Sequence, residues 1–272
     1  MYPTIFKIGP IGIHSYGLML TLSFFAGLWY IYKRSPAEKL SFDRMLTVAY
    51  ILIFAGMAGA RLGFVVLHWE DYVHDPLAII NPFGNEQFGL AGLNLYGGVI
   101  LAIAGAWWYI RRKKLPLLAV FDLYAPTLGL GLGIARIGCF LKGCCFGTPT
   151  TLPWGISFPE GSLAYYVFGS QRLHPTQLYS SAYGILLFII LHLILKRKRF
   201  DGQVTGVLFM TEAVFRHLIE YVRYYEVEMK FHFLGMEPTY NQLVSVLLFA
   251  AGAILYWRAP RVLYRESAHP AK

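Results

Sequence analysis

The sequence predicts an all-α, polytopic membrane protein with about seven transmembrane helices. Three observations carry that reading. Of 272 residues, 56% are hydrophobic and only 14% charged, with a mean hydropathy of +0.49, a composition that excludes an ordinary soluble domain. Apolar stretches of roughly 20 residues, the length that crosses ~30 Å of hydrocarbon, recur at about 12–32, 45–68, 94–110, 117–141, 176–195, 203–224 and 241–257. Lys and Arg collect in alternate loops between them.

Taken in order, the first span carries His14 and Tyr16 near its start and is followed by Lys33, Arg34, Lys39 and Arg44. Because residues 1–10 hold only Lys7 and the basic cluster comes after the apolar run, this span reads as a retained anchor and not a cleavable signal peptide. The second span contains Gly59-Ala-Arg61-Leu-Gly63; the third opens on Tyr96-Gly97-Gly98 and ends at Arg111, Arg112, Lys113 and Lys114. The fourth, Leu117–Leu141, is punctuated by Gly129, Gly131 and Gly133 and carries Arg136. Those glycines suit close helix packing; with no βαβ context they are not a dinucleotide loop. The fifth span ends at Lys196, Arg197, Lys198 and Arg199, and the seventh before Arg258, Arg261, Arg265 and Lys272. Positive charge on alternate loops places the amino terminus outside and the carboxyl terminus in the cytoplasm. The net charge of +9 follows from this asymmetry and from anionic headgroups, so it gives no support to nucleic-acid binding. No internal repeat or long soluble insert is present, which makes residues 1–272 a single membrane domain. Two outside segments, Trp69–Gly92 and Lys142–Pro175, are rich in Pro, Gly, Asn and aromatics. Their Trp69, Tyr72, Trp154, Tyr165 and Tyr166 suit either an interfacial aromatic belt or recognition of a polypeptide acceptor.

Depth organises the polar residues. At ~1.5 Å rise per residue, Arg136 lies about five residues from the outer end of its span, Arg216 about eight and Arg61 about seven. With His14, Tyr16 and Tyr96 they form a layer in the outer half of the bilayer. Each arginine can instead snorkel or pair on its own helix, and Glu212 and Glu220, four residues either side of Arg216 on a stripe running to Arg223, can satisfy it locally. Arg136 has no such neighbour: Asp122 is about 14 residues, or ~21 Å, away. A guanidinium in a low dielectric suits a phosphate, to which its planar fork donates two hydrogen bonds. An intramembrane cation of this kind is by default a functional site. Cys139, Cys144 and Cys145 suit packing or a disulfide; their spacing matches no zinc motif, and neither a metal nor a cofactor is expected.

Arg136-Ile-Gly138-Cys139-Phe140-Leu-Lys142-Gly143 resembles the signature of the bacterial prolipoprotein diacylglyceryl transferases. Further patches agree in order: His14-Ser-Tyr16-Gly17, Gly59-Ala-Arg61-Leu-Gly63, Tyr96-Gly97-Gly98, Asp122 through Pro126, Leu173-His174-Pro175-Thr-Gln177-Leu-Tyr179, and Phe215-Arg216 with Glu220 and Arg223. The resemblance implies a multi-pass enzyme of the cytoplasmic (inner) membrane with small periplasmic caps. It moves the diacylglyceryl group of phosphatidylglycerol onto the acceptor cysteine of a lipoprotein precursor, beside the precursor's signal peptide, and releases glycerol phosphate. In that reading Tyr96, Arg216 and Tyr16 are catalytic; Arg136, Arg216, Arg61, Gly138 and Arg223 bind the lipid phosphate; His14, His174 and Glu220 support them. Gly97 and Gly98 are expected to leave room beside Tyr96 for a headgroup or a peptide backbone. Many family members carry histidine where Tyr96 stands, asparagine at Cys139 and at Lys142, glutamate at Cys144 and tyrosine at Glu212. The departures at Tyr96 and Glu212 keep open a related membrane transferase with a different acceptor, or a non-catalytic paralogue. A lipid transporter fits less well, because transporters show duplicated halves and midplane polar groups.

Overall fold

A computed structural model describes residues 4–8, 11–73, 94–225 and 238–258. Among the described residues two short antiparallel strands, β1 (Thr4–Ile8) and β2 (Ile11–His14), precede nine α-helices: α1 (Ser15–Arg34), α2 (Phe42–Leu67), α3 (Trp69–Tyr72), α4 (Leu95–Arg112), α5 (Leu117–Lys142), α6 (Leu163–Phe168), α7 (Thr176–Lys196), α8 (Gln203–Ile219) and α9 (Tyr240–Arg258). Among the described helices, α2, α5, α7 and α9 are long and apolar enough to cross a membrane. The surface supports the same environment. Phe25, Trp29, Phe54, Val66, Leu128 and Trp257 are all exposed, an outward apolar face that water would not tolerate over so many helices. The chain is a helical, multi-pass membrane protein.

Each long helix matches a predicted span to within a few residues, with two informative exceptions. The first span, expected from about residue 12, begins as strand β2, which pairs Ile8 with Ile11 and Lys7 with Gly12. Alternation at Ile11 and Ile13 after the glycine-proline dipeptide of the sequence gives a strand period where hydropathy alone reads helix. The sixth span, expected to reach residue 224, stops at Ile219. Beyond it the backbone pairs elsewhere: Thr148 N donates to Val222 O at 2.9 Å and Tyr224 N to Phe146 O at 3.2 Å. Arg223 therefore leaves the helical stripe on which the sequence placed it. Most of the segment 69–92, and Arg261, Arg265 and Lys272, lie outside the described residues.

Two compact units divide the chain: residues 1–33 with 121–272, and residues 34–120. In the first, α5 and α7 touch backbone to backbone. A Cβ on Gly129 would lie 2.8 Å from Phe188 N, and one on Gly184 2.9 Å from Gly129 O. Ser181 Oγ donates to Gly133 O at 2.7 Å across the same seam. Gly129 and Gly133 thus have the packing role expected of them, whereas Gly131 faces open space. On α7 the buried stripe Gly184, Leu187, Leu191 and Leu195 repeats at helical spacing. Asp122, fully buried in α5, caps α8 from outside that helix: its carboxylate accepts from Gly202 N (2.8 Å), Thr205 N (2.9 Å) and Thr205 Oγ1 (2.8 Å). The two N–H groups are backbone donors of the helix N-terminus, and the negative charge suits its dipole.

The segment between α5 and α7 folds over a core of its own, built from Phe146, Phe158, Ala164 and Leu173 with Phe168 and Tyr224 against it. Gly147 N donates to His174 O, and His174 N to Thr148 O, both at 3.0 Å. A Cβ on Gly147 would fall 2.6 Å from His174 Cβ, so only glycine admits that strand-like contact.

In the second unit α2 packs on α4 through glycines on both helices. A Cβ on Gly63 would sit 3.0 Å from Gly97 Cα, and one on Gly98 would lie 2.9 Å from Gly56 O. The space beside Gly97 and Gly98 is filled by α2, which corrects the expectation that it receives a headgroup or peptide backbone. Asn94 caps α4 by accepting from Gly97 N at 3.0 Å.

Candidate functional site

The site grows from the way α5 ends. Lys142 is its last residue and Gly143 follows at φ +79°. Gly143 N donates to Phe140 O at 3.1 Å and Cys144 N to Cys139 O at 3.1 Å. This paired pattern is a Schellman termination, which brings the side chains of Cys139 and Cys144 onto each other. Cys145 then adopts a left-handed φ of +61°, uncommon for a residue with a Cβ. The three Sγ atoms all lie within 4.8 Å of one another. The thiols are free, Cys139 buried and the other two half-buried. Hydrogen bonds from the Cys139 and Cys144 thiols, helped by the charges of Arg223 and Arg136, push the Cys145 thiol well below its usual range against the opposing effect of burial. Hydrogen bonding to Cys139 and Cys145, followed by burial, pushes Cys144 the other way.

Arg136 stands one turn before Cys139, half-buried. Its charge acts on Tyr16 from α1, on Cys145, and on Glu212 from α8. Among the described residues no ion pair within 4 Å holds it. Arg216 is differently placed: its Nη2 donates to Tyr225 Oη at 3.0 Å and lies 3.2 Å from Glu220 Oε1. Glu220 also accepts from Tyr225 Oη (2.6 Å) and Thr239 Oγ1 (2.7 Å), so its buried carboxylate is well satisfied. Burial, reinforced by the bond to Glu220, pushes the Tyr225 phenol up to about 12, which keeps it a donor. Arg223 lies over the Tyr225 ring, 4.9 Å from its centroid, and its charge reaches Cys145. Among the described residues its buried Nε has no hydrogen-bond partner.

Contacts and through-space charge link these groups in a circuit: Arg216 and Arg136 both act on Glu212, Arg216 donates to Tyr225, Arg223 lies over the Tyr225 ring, and Arg223 and Arg136 both act on Cys145. Arg136, Arg216 and Arg223 all belong to it, and Tyr16, which feels the Arg136 charge, stands at its edge, with the Lys142 ammonium 5.9 Å from its ring centroid. Gly138 serves the arrangement by packing, since a Cβ there would meet Met19 Cβ at 3.0 Å and Tyr16 Cα at 3.1 Å. Close approach of α1 to α5 is what sets Tyr16 beside the cluster. The chemistry available is anion binding by guanidiniums in a desolvated setting, with two carboxylates holding part of the charge.

The remaining predicted residues lie apart from this circuit or support it. His14 is on the hairpin, its Nδ1 3.4 Å from Thr4 Oγ1. His174 Nδ1 is 3.3 Å from Tyr179 Oη, which also accepts from Trp154 Nε1 at 2.8 Å; Trp154 thus has a specific partner beyond the aromatic belt. Arg61 and Tyr96 belong to the second unit. Arg61 lies over the Tyr72 ring at 5.3 Å, and Tyr96 is 64% exposed near the start of α4.

Sequence reasoning missed Tyr225, Thr176 and Gln177 as site residues. Thr176 Oγ1 donates to Cys145 O at 2.7 Å and Gln177 Nε2 to Cys144 O at 2.8 Å. Gln177 carried a signal, being a buried amide at the head of an apolar helix. Tyr225 carried none, because its role depends on the chain turning after Ile219.

The family model described as prolipoprotein diacylglyceryl transferase matches residues 3–258 of this chain. Relatives named phosphatidylglycerol–prolipoprotein diacylglyceryl transferase agree along almost the full length. That of Aeromonas salmonicida is 30% identical over 262 residues, covering 94% of this chain and 90% of the relative. That of Aeromonas hydrophila is 30% identical over 277 residues (99% and 95%), and that of Vibrio cholerae 30% over 271 residues (97% and 94%). With the Arg136–Gly143 signature at the centre of the circuit and similarity on this scale across both units, the chain belongs to the prolipoprotein diacylglyceryl transferase family.

Proposed function

We propose that this chain transfers the diacylglyceryl group of phosphatidylglycerol to the cysteine thiol of lipoprotein precursors, the first step of their maturation. What supports the reading is that Arg216 and Arg223, from α8 and the turn after it, share Tyr225 as a partner while the charge of Arg136 on α5 acts on the same neighbours, Glu212 and Cys145, within a family whose named members perform this transfer. The acceptor sulfur attacks the glyceryl carbon bonded to the phosphate ester oxygen. The S–C bond forms, the C–O bond breaks with its electrons passing to the phosphate, and glycerol phosphate leaves. The extra charge on the departing phosphate is stabilised by the guanidiniums, Arg136 foremost because no carboxylate among the described residues pairs with it. Arg61 is assigned to the same lipid and Tyr16 to the reacting end, where the Arg136 charge reaches its phenol. A thiol is a weak nucleophile until deprotonated. Tyr96, standing where relatives commonly carry histidine, is the proposed group that takes or orients that proton, on the strength of the resemblance. His14, His174 and Glu220 keep their supporting roles, Glu220 by holding Arg216 and Tyr225.

The proposal includes seven crossings of the bacterial inner membrane, the amino terminus outside and the carboxyl terminus inside, with the hairpin and the segment between α5 and α7 as periplasmic caps. Alternate-loop basic residues support that orientation. The test is transfer by the purified chain in phosphatidylglycerol-containing micelles to a precursor peptide carrying the acceptor cysteine, read as the mass gain of a diacylglyceryl group. An inert chain that also fails to restore lipoprotein maturation in cells depleted of their own transferase would overturn the proposal. Transfer to some other thiol but not to the precursor would favour a different acceptor.

A further inference from the structure

We propose that Cys139, Cys144 and Cys145 form a three-thiolate site for one thiophilic d10 cation, zinc or cuprous, at the C-terminal end of α5. The three Sγ atoms already lie within 4.8 Å of one another. Metal–sulfur bonds of ~2.3 Å in a trigonal arrangement place the sulfurs about 4.0 Å apart, so closing the site takes side-chain shifts of under about 1 Å. Thiolates are soft ligands, and zinc and Cu(I) are the ions they select.

The backbone is built to hold this geometry. Cys139 and Cys144 occupy the two positions that a Schellman termination brings into contact. The next two carbonyls are fastened from α7: that of Cys144 by Gln177 Nε2 and that of Cys145 by Thr176 Oγ1, from side chains 0% and 2% exposed as residues. Those bonds keep Cys145 at φ +61°, a conformation that costs energy unless its surroundings impose it. Cys139 is 7% exposed while its two partners are half-buried, which gives an ion an entry path and a low-dielectric seat. Arg136 and Arg223 both act electrostatically on this cluster. Their two positive charges offset the net −1 of zinc with three thiolates or the −2 of Cu(I) with three. Binding releases the thiol protons to solvent, up to three per ion, with no change in sulfur oxidation state. The rival chemistry is a disulfide, but it would consume two of three mutually adjacent sulfurs, and the Cys144–Cys145 pair is disfavoured by ring strain. Two of the thiols stand where many resembling enzymes carry asparagine and glutamate, so the three-thiol set is a feature of this chain that those enzymes do not share.

The experiment uses the full chain, purified in detergent, reduced with a phosphine, stripped by chelator and shown by thiol titration to carry three free cysteines. Zinc is titrated against a chromophoric chelator; Cu(I) is titrated anaerobically against bathocuproine disulfonate. One ion per chain at nanomolar affinity or tighter is expected, weakened at least about 100-fold by each of Cys139→Ser, Cys144→Ser and Cys145→Ser. X-ray absorption then separates the two sources: three sulfurs plus one light ligand for zinc, three sulfurs alone for copper. Should a serine variant fail to fold, the unmodified chain still decides the matter, because bound metal must slow alkylation of all three cysteines roughly tenfold or more and raise the melting temperature. Three titratable thiols that retain neither ion at micromolar concentration would overturn the proposal. So would alkylation unaffected by metal, or a disulfide from Cys139 that persists in the unreduced chain under excess zinc.

Discussion

Arg136→Gln is the sharpest perturbation of the proposed chemistry, because the structure separates its effect on rate from its effect on folding. Arg216 pairs with Glu220 at 3.2 Å and donates to Tyr225 at 3.0 Å. Removing it leaves a buried carboxylate short of a partner, at a cost of ~1–3 kcal/mol, and lost turnover would then mix with lost protein. Arg136 is in no ion pair among the described residues, and Glu212, which feels its charge, keeps Arg216 as its stronger cationic neighbour. Arg136→Gln should accordingly hold thermal unfolding within about 0.5 kcal/mol of the parent. Loss of a preorganised cation facing a departing phosphate is worth ~10²–10³ in kcat, or about 2.7–4 kcal/mol. Arg136→Lys should recover only part of it, since a point charge replaces a planar fork. The assay is diacylglyceryl transfer to a precursor peptide at saturating phosphatidylglycerol, alongside a melting curve of each variant in the same detergent. Turnover within about threefold of the parent, under ~0.7 kcal/mol, from folded Arg136→Gln would refute the phosphate role and leave Arg136 as a snorkelling residue.

Three further outcomes are expected. Asp122→Asn turns an oxygen that accepts from the α8 terminus into a donor and should lower stability by ~1–3 kcal/mol; a double-mutant cycle with Thr205→Val, followed by thermal unfolding, checks whether the loss runs through that cap. Gly184→Ala puts a Cβ 2.9 Å from Gly129 O and should cost ~1–3 kcal/mol by prising α7 from α5, while Gly131→Ala, which meets open space, should be neutral or stabilising by up to ~1 kcal/mol; equal melting temperatures for the two would contradict the packing assigned to that seam. Tyr96→Phe should slow transfer ~10²-fold or more if the phenol handles the thiol proton, and unchanged turnover would assign Tyr96 to anchoring α4 in the interface.

What the sequence determined by itself was the membrane, the long helices and the family patches. Hydropathy is a sum over about 20 consecutive residues, and a signature such as Arg136–Gly143 is likewise contiguous, so neither depends on knowing what packs against what. The cysteine cluster carried one contiguous signal that the sequence reading did not use: Gly143 after an apolar helix suits a Schellman end, which brings Cys139 to Cys144. The hairpin escaped because a strand of a few residues competes poorly with a neighbouring apolar run in any window average. Tertiary structure decided the rest. Glu212 and Glu220 are equally spaced from Arg216 in sequence, yet the close salt bridge forms with Glu220, since the chain leaves the helix after Ile219 and Tyr225 and Thr239 return to lock that carboxylate. Gly97 and Gly98 look like room for a substrate until α2 is seen to fill it, and Cys145 joins its two partners only because Thr176 and Gln177 hold its turn. Each of these outcomes depends on groups far apart in the chain meeting within hydrogen-bonding or van der Waals distance, where a shift of an ångström decides the partner, and that distance is set by packing between helices and not by any run of neighbouring residues.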